Sequence, residues 1–215
     1  MSSVMPPQNA RFERASPTVA VVLAGGRGLR MGGGDKGLRL LGGRTLLDHV
    51  LARVRPQVDA VVLNANGEAG RFEGFGLPVV ADGIGAGPLA GVLAGLRWAE
   101  AVHPGAEVLV VPSDTPFLPW DLVARLRLGR GDAALACAAS GGRVHPVVGL
   151  WRVELAAALE AALRDGERRV VAWMRGQGLA EVEFDVDEAG DPFANLNTPE
   201  DLAAAGARLR GPAGR

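Results

Sequence analysis

The chain has 215 residues, 23 basic against 24 acidic side chains, and 48% hydrophobic residues. A net charge of −1 argues against a nucleic-acid or membrane-surface protein, and a single cysteine, Cys137, excludes a disulfide framework and a cysteine-based zinc cluster. No apolar run approaches the roughly 18 residues of a membrane span, and residues 1–17 carry Arg11, Glu13 and Arg14 without the apolar core of a secretory signal. The expectation is a cytoplasmic protein with one domain over 18–210, a disordered extension over 1–17 and a frayed tail over 211–215.

From the N-terminus, Val19 to Leu23 reads as a fully buried strand, and a glycine-rich loop runs from Ala24 to Gly37. The apolar residues Leu46, Leu47, Val50, Leu51 and Val54 repeat at helical spacing and predict a helix that ends before Pro56. Ala60 to Leu63, Val79-Val80 and Val108 to Val111 read as further strands, with a helix over Gly87 to Val102. This alternation predicts a mostly parallel sheet wrapped by helices. The second half is less regular: strands are expected over 133–138, 146–151 and 182–186, and helices over 153–163, 170–175 and 199–209. Cys137 and the four tryptophans, Trp98, Trp120, Trp151 and Trp173, read as packing residues.

Each strand of the first half stops at something chemically pointed. The first opens into Leu23-Ala24-Gly25-Gly26, the second ends at Asn64, the third at Asp82 and the fourth at Pro112-Ser113-Asp114. Ligands of open parallel sheets bind outside the carboxyl ends of the strands, so these stops converge. From Leu23 to Lys36 the loop adds Arg27, Arg30 and Lys36 to six glycines, a combination suited to a triphosphate. Lys36 is the only lysine beside 22 arginines, which marks a place where a compact ammonium is needed. A dinucleotide fingerprint fails at Met31, and a P-loop fails at Asp35 and Gly37. Asp114 is placed to hold Mg²⁺, or to cap a turn before Pro116. Asp82 is either a turn residue or a carboxylate for a guanine edge or ribose. Thr198-Pro199-Glu200-Asp201 starts a helix, and Asn195 and Asn197 before it point to one side of an extended segment, where they would line a pocket. His145 reads equally as a contact for a second substrate and as a structural histidine.

The loop from Leu23 to Lys36 resembles the signature L-A-G-G-x-x-x-R-M-G-G-x-D-K of the molybdenum cofactor guanylyltransferases, the MobA type. Gly87-Pro88-Leu89-Ala90-Gly91, Pro112 to Pro116, His145-Pro146-Val147 and Asn195 to Asp201 resemble that family's later motifs, in order. The resemblance implies a Rossmann-like, three-layer nucleotidyltransferase fold. It also implies transfer of GMP from GTP to molybdopterin, with Mg²⁺ and release of pyrophosphate. Carried across, Leu23, Ala24 and Gly25 would hold GTP through backbone groups, with Gly26 and Arg30 matching the loop. Lys36 would meet the phosphates, Asn64 and Asp82 the nucleoside, and Asp114 the nucleotide and metal. Asn195 and Asn197 would lie near the pterin. The implied partners extend to molybdenum-insertion proteins and molybdoenzyme chaperones. The residues leave three alternatives: a sister enzyme using CTP or another phosphorylated acceptor, a nucleotide-binding scaffold without catalysis, and an oxidoreductase disfavoured by Met31.

Overall fold

Strand β1 (Thr18–Leu23) is built almost wholly of β-branched residues and alanine, and both its faces are buried, the pattern of a central parallel strand. The computed structural model describes residues 16–25, 34–84, 87–188 and 190–210. After β1 come the short hairpin β2 (Leu40–Leu41) and β3 (Arg44–Thr45), helix α1 (Leu46–Val54), β4 (Ala60–Asn64) and β5 (Val79–Val80). Helix α2 (Pro88–Val102), β6 (Glu107–Pro112) and α3 (Leu122–Arg130) follow. The second half runs β7 (Leu135–Ser140), β8 (Arg143–Arg152), α4 (Leu155–Arg164), α5 (Val170–Gly176), β9 (Leu179–Phe184) and α6 (Pro199–Arg210). α1 keeps the predicted span because Thr45 and Asp48 form a capping box at its start. Of the extension expected over 1–17, residues 1–15 lie outside the described residues, as does the tail over 211–215.

Seven strands form one sheet in the order β5-β4-β1-β6-β8-β7-β9. β5, β4, β1 and β6 are mutually parallel, and β9 runs parallel to β7. β8 is antiparallel to both its neighbours, β6 and β7, so the irregular second half is a hairpin inserted into an otherwise parallel sheet. The strand alternation sorts the core into two layers. Ala20, Val22, Leu63, Leu109 and Val111 face α1 and α3. Val19, Val21, Val62, Val108 and Val110 face α2, α4 and α5. The result is the expected three-layer α/β arrangement. Trp151 and Trp173 stack in the second layer with ring centroids 5.8 Å apart. Trp120 departs from its expected packing role. It precedes α3 at the surface, is 59% exposed, and carries Arg53 over its ring at 4.2 Å.

Between Cys137 and Ala138 the β7–β8 register shifts: Cys137 pairs with Gly149, whereas Ala138 pairs with His145. Pro146, which has no N–H to give to a ladder, sits in the skipped stretch. This bulge separates Gly149 to Arg152, which pair with both β6 and β7, from Arg143 to His145, which pair with β7.

Candidate active site

The carboxyl ends of β1, β4, β5 and β6 open into a cleft of about 350 Å³, where the topology of an open α/β sheet places ligands. Leu23, Gly25, Lys36, Asn64, Asp82, Asp114 and Asn195 all line it. Four separate strand ends and the segment before α6 thus meet in one cavity. Gly26 and Arg30 lie outside the described residues.

Lys36 opens a short 3₁₀ turn, Lys36–Leu38, after Asp35. Gly37 allows that turn to lie directly on the end of β6, since a Cβ there would come within 2.9 Å of Ser113 Cβ and Oγ. The close approach brings Lys36 Nζ to 3.4 Å from Asp114 Oδ2. The ammonium also donates to Asn197 Oδ1. Asp114 is 7% exposed, and burial lifts its carboxyl above the ordinary carboxylate range although Lys36 pulls the other way. Its second oxygen, Oδ1, is buried without a hydrogen-bond partner among the described residues. A hard carboxylate oxygen without a partner among the described residues, on a side chain that lines the cleft, fits Mg²⁺, which binds through one or two carboxylates and completes its shell with phosphates and water.

At the other side of the cleft, Asn64 ends β4 beside Val80 of β5. Its side-chain amide donates to Val80 O at 3.2 Å and to Asp82 Oδ1 at 2.9 Å. Asn66 donates to Asp82 Oδ2 at 2.7 Å and accepts from the Asp82 N–H at 2.8 Å. Two amides therefore hold the carboxylate in one orientation, with lone pairs to spare on both oxygens. Asn66 also lines the cleft and was not anticipated from the sequence. The signal was present, because Asn64 and Asn66 share the same two-residue spacing as Asn195 and Asn197.

The backbone expectation for the first loop narrows. Leu23 O accepts from Ser113 N at 3.0 Å, and the Ala24 N–H donates to Asn64 O at 2.8 Å. These groups serve the sheet, and Ala24 is 1% exposed. Gly25 lies beyond them on the cleft wall. Across from it, α2 begins at Gly87 and Pro88, so the positive end of a fifteen-residue helix dipole faces the cavity.

The C-terminal segment reaches the cleft through the end of β6. Leu196 N donates to Asp114 O at 3.0 Å, and Asn195 Oδ1 accepts from Thr115 Oγ1 at 3.1 Å. Thr198 caps α6 as expected, accepting from Asp201 N at 3.1 Å. Asp201 Oδ2 in turn accepts from the N–H groups of Asn197 and Thr198 at 2.8 Å each. Those bonds hold Asp201 below the ordinary carboxylate range. His145 is placed differently from the other candidates: it does not line the cleft, whereas Val147 does. Its Nε2 is 2.7 Å from Ser140 Oγ, which donates to Asp191 Oδ1 at 2.9 Å. A hydroxyl has one proton to give, so Nε2 carries the ring proton. The ring also packs 4.9 Å from Phe193, and burial lowers the affinity of His145 for a second proton.

A Rossmann-like sheet with a lone lysine, a buried carboxylate and a base-sized cleft at the strand ends defines a nucleotidyltransferase type of site. Residues 20–181 match the family model described as MobA-like NTP transferase domain, and the chain belongs to that family. It is 51% identical over 195 residues to a Nitrobacter hamburgensis protein named molybdenum cofactor guanylyltransferase, covering 88% of this chain and 93% of that one. A Rhodopseudomonas palustris protein of the same name is 54% identical over 194 residues, covering 87% and 92%. The fold is shared with the solved structure of molybdopterin-guanine dinucleotide biosynthesis protein A from Archaeoglobus fulgidus. That comparison gives a TM-score of 0.69 at 24% identity over 87% of this chain and 96% of that one. Among the described residues no helix is long and apolar enough to cross a membrane.

Proposed function

We propose that this protein transfers GMP from GTP to molybdopterin, releasing pyrophosphate. The observation that carries the reading is the pairing of Lys36 with one oxygen of Asp114 at the mouth of β6, while the other oxygen has no partner among the described residues. The names of relatives at about half identity over most of the chain supply the substrates.

In this reading the triphosphate lies along Gly25 and Lys36, and the nucleoside reaches toward Asn64 and the clamped carboxylate of Asp82. A terminal phosphate oxygen of molybdopterin attacks the α-phosphorus. A new P–O bond forms as the bond from the α-phosphorus to the bridging oxygen breaks, and that electron pair leaves with pyrophosphate. The nucleophile is already ionised near neutral pH, so no side chain is needed to take a proton. Catalysis is positioning plus charge stabilisation. Lys36 meets the charge that builds on the leaving group, and Asn197 holds the ammonium in place. Asp114 would hold Mg²⁺ through its free oxygen, and the ion would supply charge neutralisation at the phosphates. Asn195 would orient the pterin.

The test is to incubate the purified protein with Mg²⁺, molybdenum-loaded molybdopterin and either GTP or CTP, and to identify the product by mass. A GMP adduct formed with GTP alone is the expected outcome. An adduct formed only with CTP would keep the chemistry and overturn the base assignment.

A further inference from the structure

We infer that the chain carries a second anion site: a cavity beside α1, α3 and α6 that binds a phosphate or diphosphate group. The cavity, about 340 Å³, is lined by Arg53, Arg125 and Arg208 with Phe117 and Phe184, and shares no residue with the candidate active site. Its volume lies at the small end of ligand pockets, which suits a compact oxyanion.

Each guanidinium rests on an aromatic ring: Arg53 on Trp120 at 4.2 Å, Arg125 on Phe184 at 3.9 Å and Arg208 on Phe117 at 4.0 Å. All three are half-buried, yet none has a carboxylate within ion-pair distance among the described residues. Other partly buried arginines are treated differently. Arg71 pairs with Asp35, and Arg127 shares Glu107 with the buried Arg130. Arg125 gives one N–H to Glu183 O at 2.9 Å, and Arg208 one to Asp191 O at 3.1 Å. With five donors on each guanidinium, most remain for a ligand.

The acidic groups at the cavity meet that demand only in part. Asp185 and Asp187 line it but are exposed; the charges of Asp187 and Asp191 favour the Arg208 cation, yet burial outweighs them and makes Arg208 easier to deprotonate. Burial, and then the charge of Arg208, make Arg53 easier to deprotonate. Two half-buried cations facing one cavity repel each other, and an oxyanion between them relieves that repulsion. Ring stacking fixes the planar forks beforehand, so little side-chain freedom is lost on binding.

The test follows thermal unfolding of the full chain in EDTA, comparing millimolar orthophosphate or pyrophosphate with sodium chloride at matched ionic strength. Lys36→Met, which removes the ammonium from the candidate active site, is expected to gain Tm over chloride, and Lys36→Met/Arg53→Gln/Arg208→Gln to lose that gain. In the Lys36→Met background, a larger gain with pyrophosphate than with orthophosphate identifies a diphosphate site, and an equal gain a monophosphate site. Absence of any gain over chloride in Lys36→Met overturns the proposal. So does a gain that persists undiminished in the triple variant. Should the triple variant fail to fold, Lys36→Met/Arg53→Lys/Arg208→Lys keeps the charge at the second cavity and removes the forks. Calorimetric titration should then show affinity weaker by about tenfold or more, and unchanged affinity overturns the site.

Discussion

Asp114 concentrates the conflict between stability and function in one side chain. Its ionised form is disfavoured by burial, so the folded-state pKa stands above the unfolded value. Below the unfolded value the carboxyl is protonated in both states and costs nothing. As pH rises through the raised folded value the cost of holding a buried charge appears in full. Asp114→Asn removes that cost. Its urea midpoint should exceed that of the wild type by more at pH 8 than at pH 4, and an equal gap at both would refute the assignment. The same substitution should lower turnover by about 10²–10³-fold, the usual loss when one electrostatic contact to the transition state is removed. Cys137 shows the opposite case, a titratable group with no chemistry to perform. It is fully buried in β7, and burial pushes its thiol up to about 12. Native protein should resist thiol-modifying reagents at pH 8 and react only after denaturant is added. Rapid labelling of the folded chain would contradict that burial.

Between elements, the contact that shapes the end of the cleft proposed for the nucleoside is that of α2 on β4. Gly91 lies in the first turns of α2, where a Cβ would fall on the side-chain oxygen of Asn64 and within 3.0 Å of Leu23 Cδ2. The helix can therefore approach the strand end only because position 91 has no side chain. Gly91→Ala is expected to displace Asn64 from its bonds to Val80 and Asp82. The KM for GTP should rise several-fold, while the helix itself gains propensity. Measuring KM and kcat separately checks this: a fall in kcat at unchanged KM would place the effect elsewhere. The glycine run of the motif was legible from the sequence, but the partner of this glycine was not. Residues 64 and 91 belong to different elements, and nothing local to either encodes their approach.

Across the whole molecule, the cleft depends on a contact between residues 161 positions apart. Asn197 takes a hydrogen bond from Lys36, and the segment that carries it is tied to β6 by Leu196 N and Asn195. It is further anchored through Asp191, whose carboxylate receives Ser140 Oγ and the Phe193 N–H. Asn197→Ala should leave the free energy of unfolding within about 0.5 kcal/mol of wild type if the bond is mainly positional, as expected for a half-exposed polar contact. Turnover should nevertheless fall, because the ammonium loses its fixed direction. Steady-state kinetics beside a urea melt separate the two effects, and an equal loss in both would make Asn197 structural. His145, two residues before cleft-lining Val147, belongs to the same anchoring network rather than to the cleft wall.

Much of this molecule was determined by its sequence alone. Unbroken apolar runs dictate buried parallel strands because only a strand covered on both faces can use them. The polar stops at Asn64, Asp82 and Asp114 follow from the rule that such strands present their carboxyl ends to ligands. The single lysine among arginines and the Thr198 cap were equally readable, because each rests on local chemistry. Only the tertiary structure decided that β8 enters the sheet antiparallel, that Asn66 shares the hold on Asp82, and that His145 turns to Ser140 and Asp191. It also decided that Trp120 stays at the surface under Arg53, and that three arginines from three helices meet over one cavity. Each of these is a matter of distance between segments far apart in the chain, set by how two layers of helices close on one sheet, and local patterning carries no record of it.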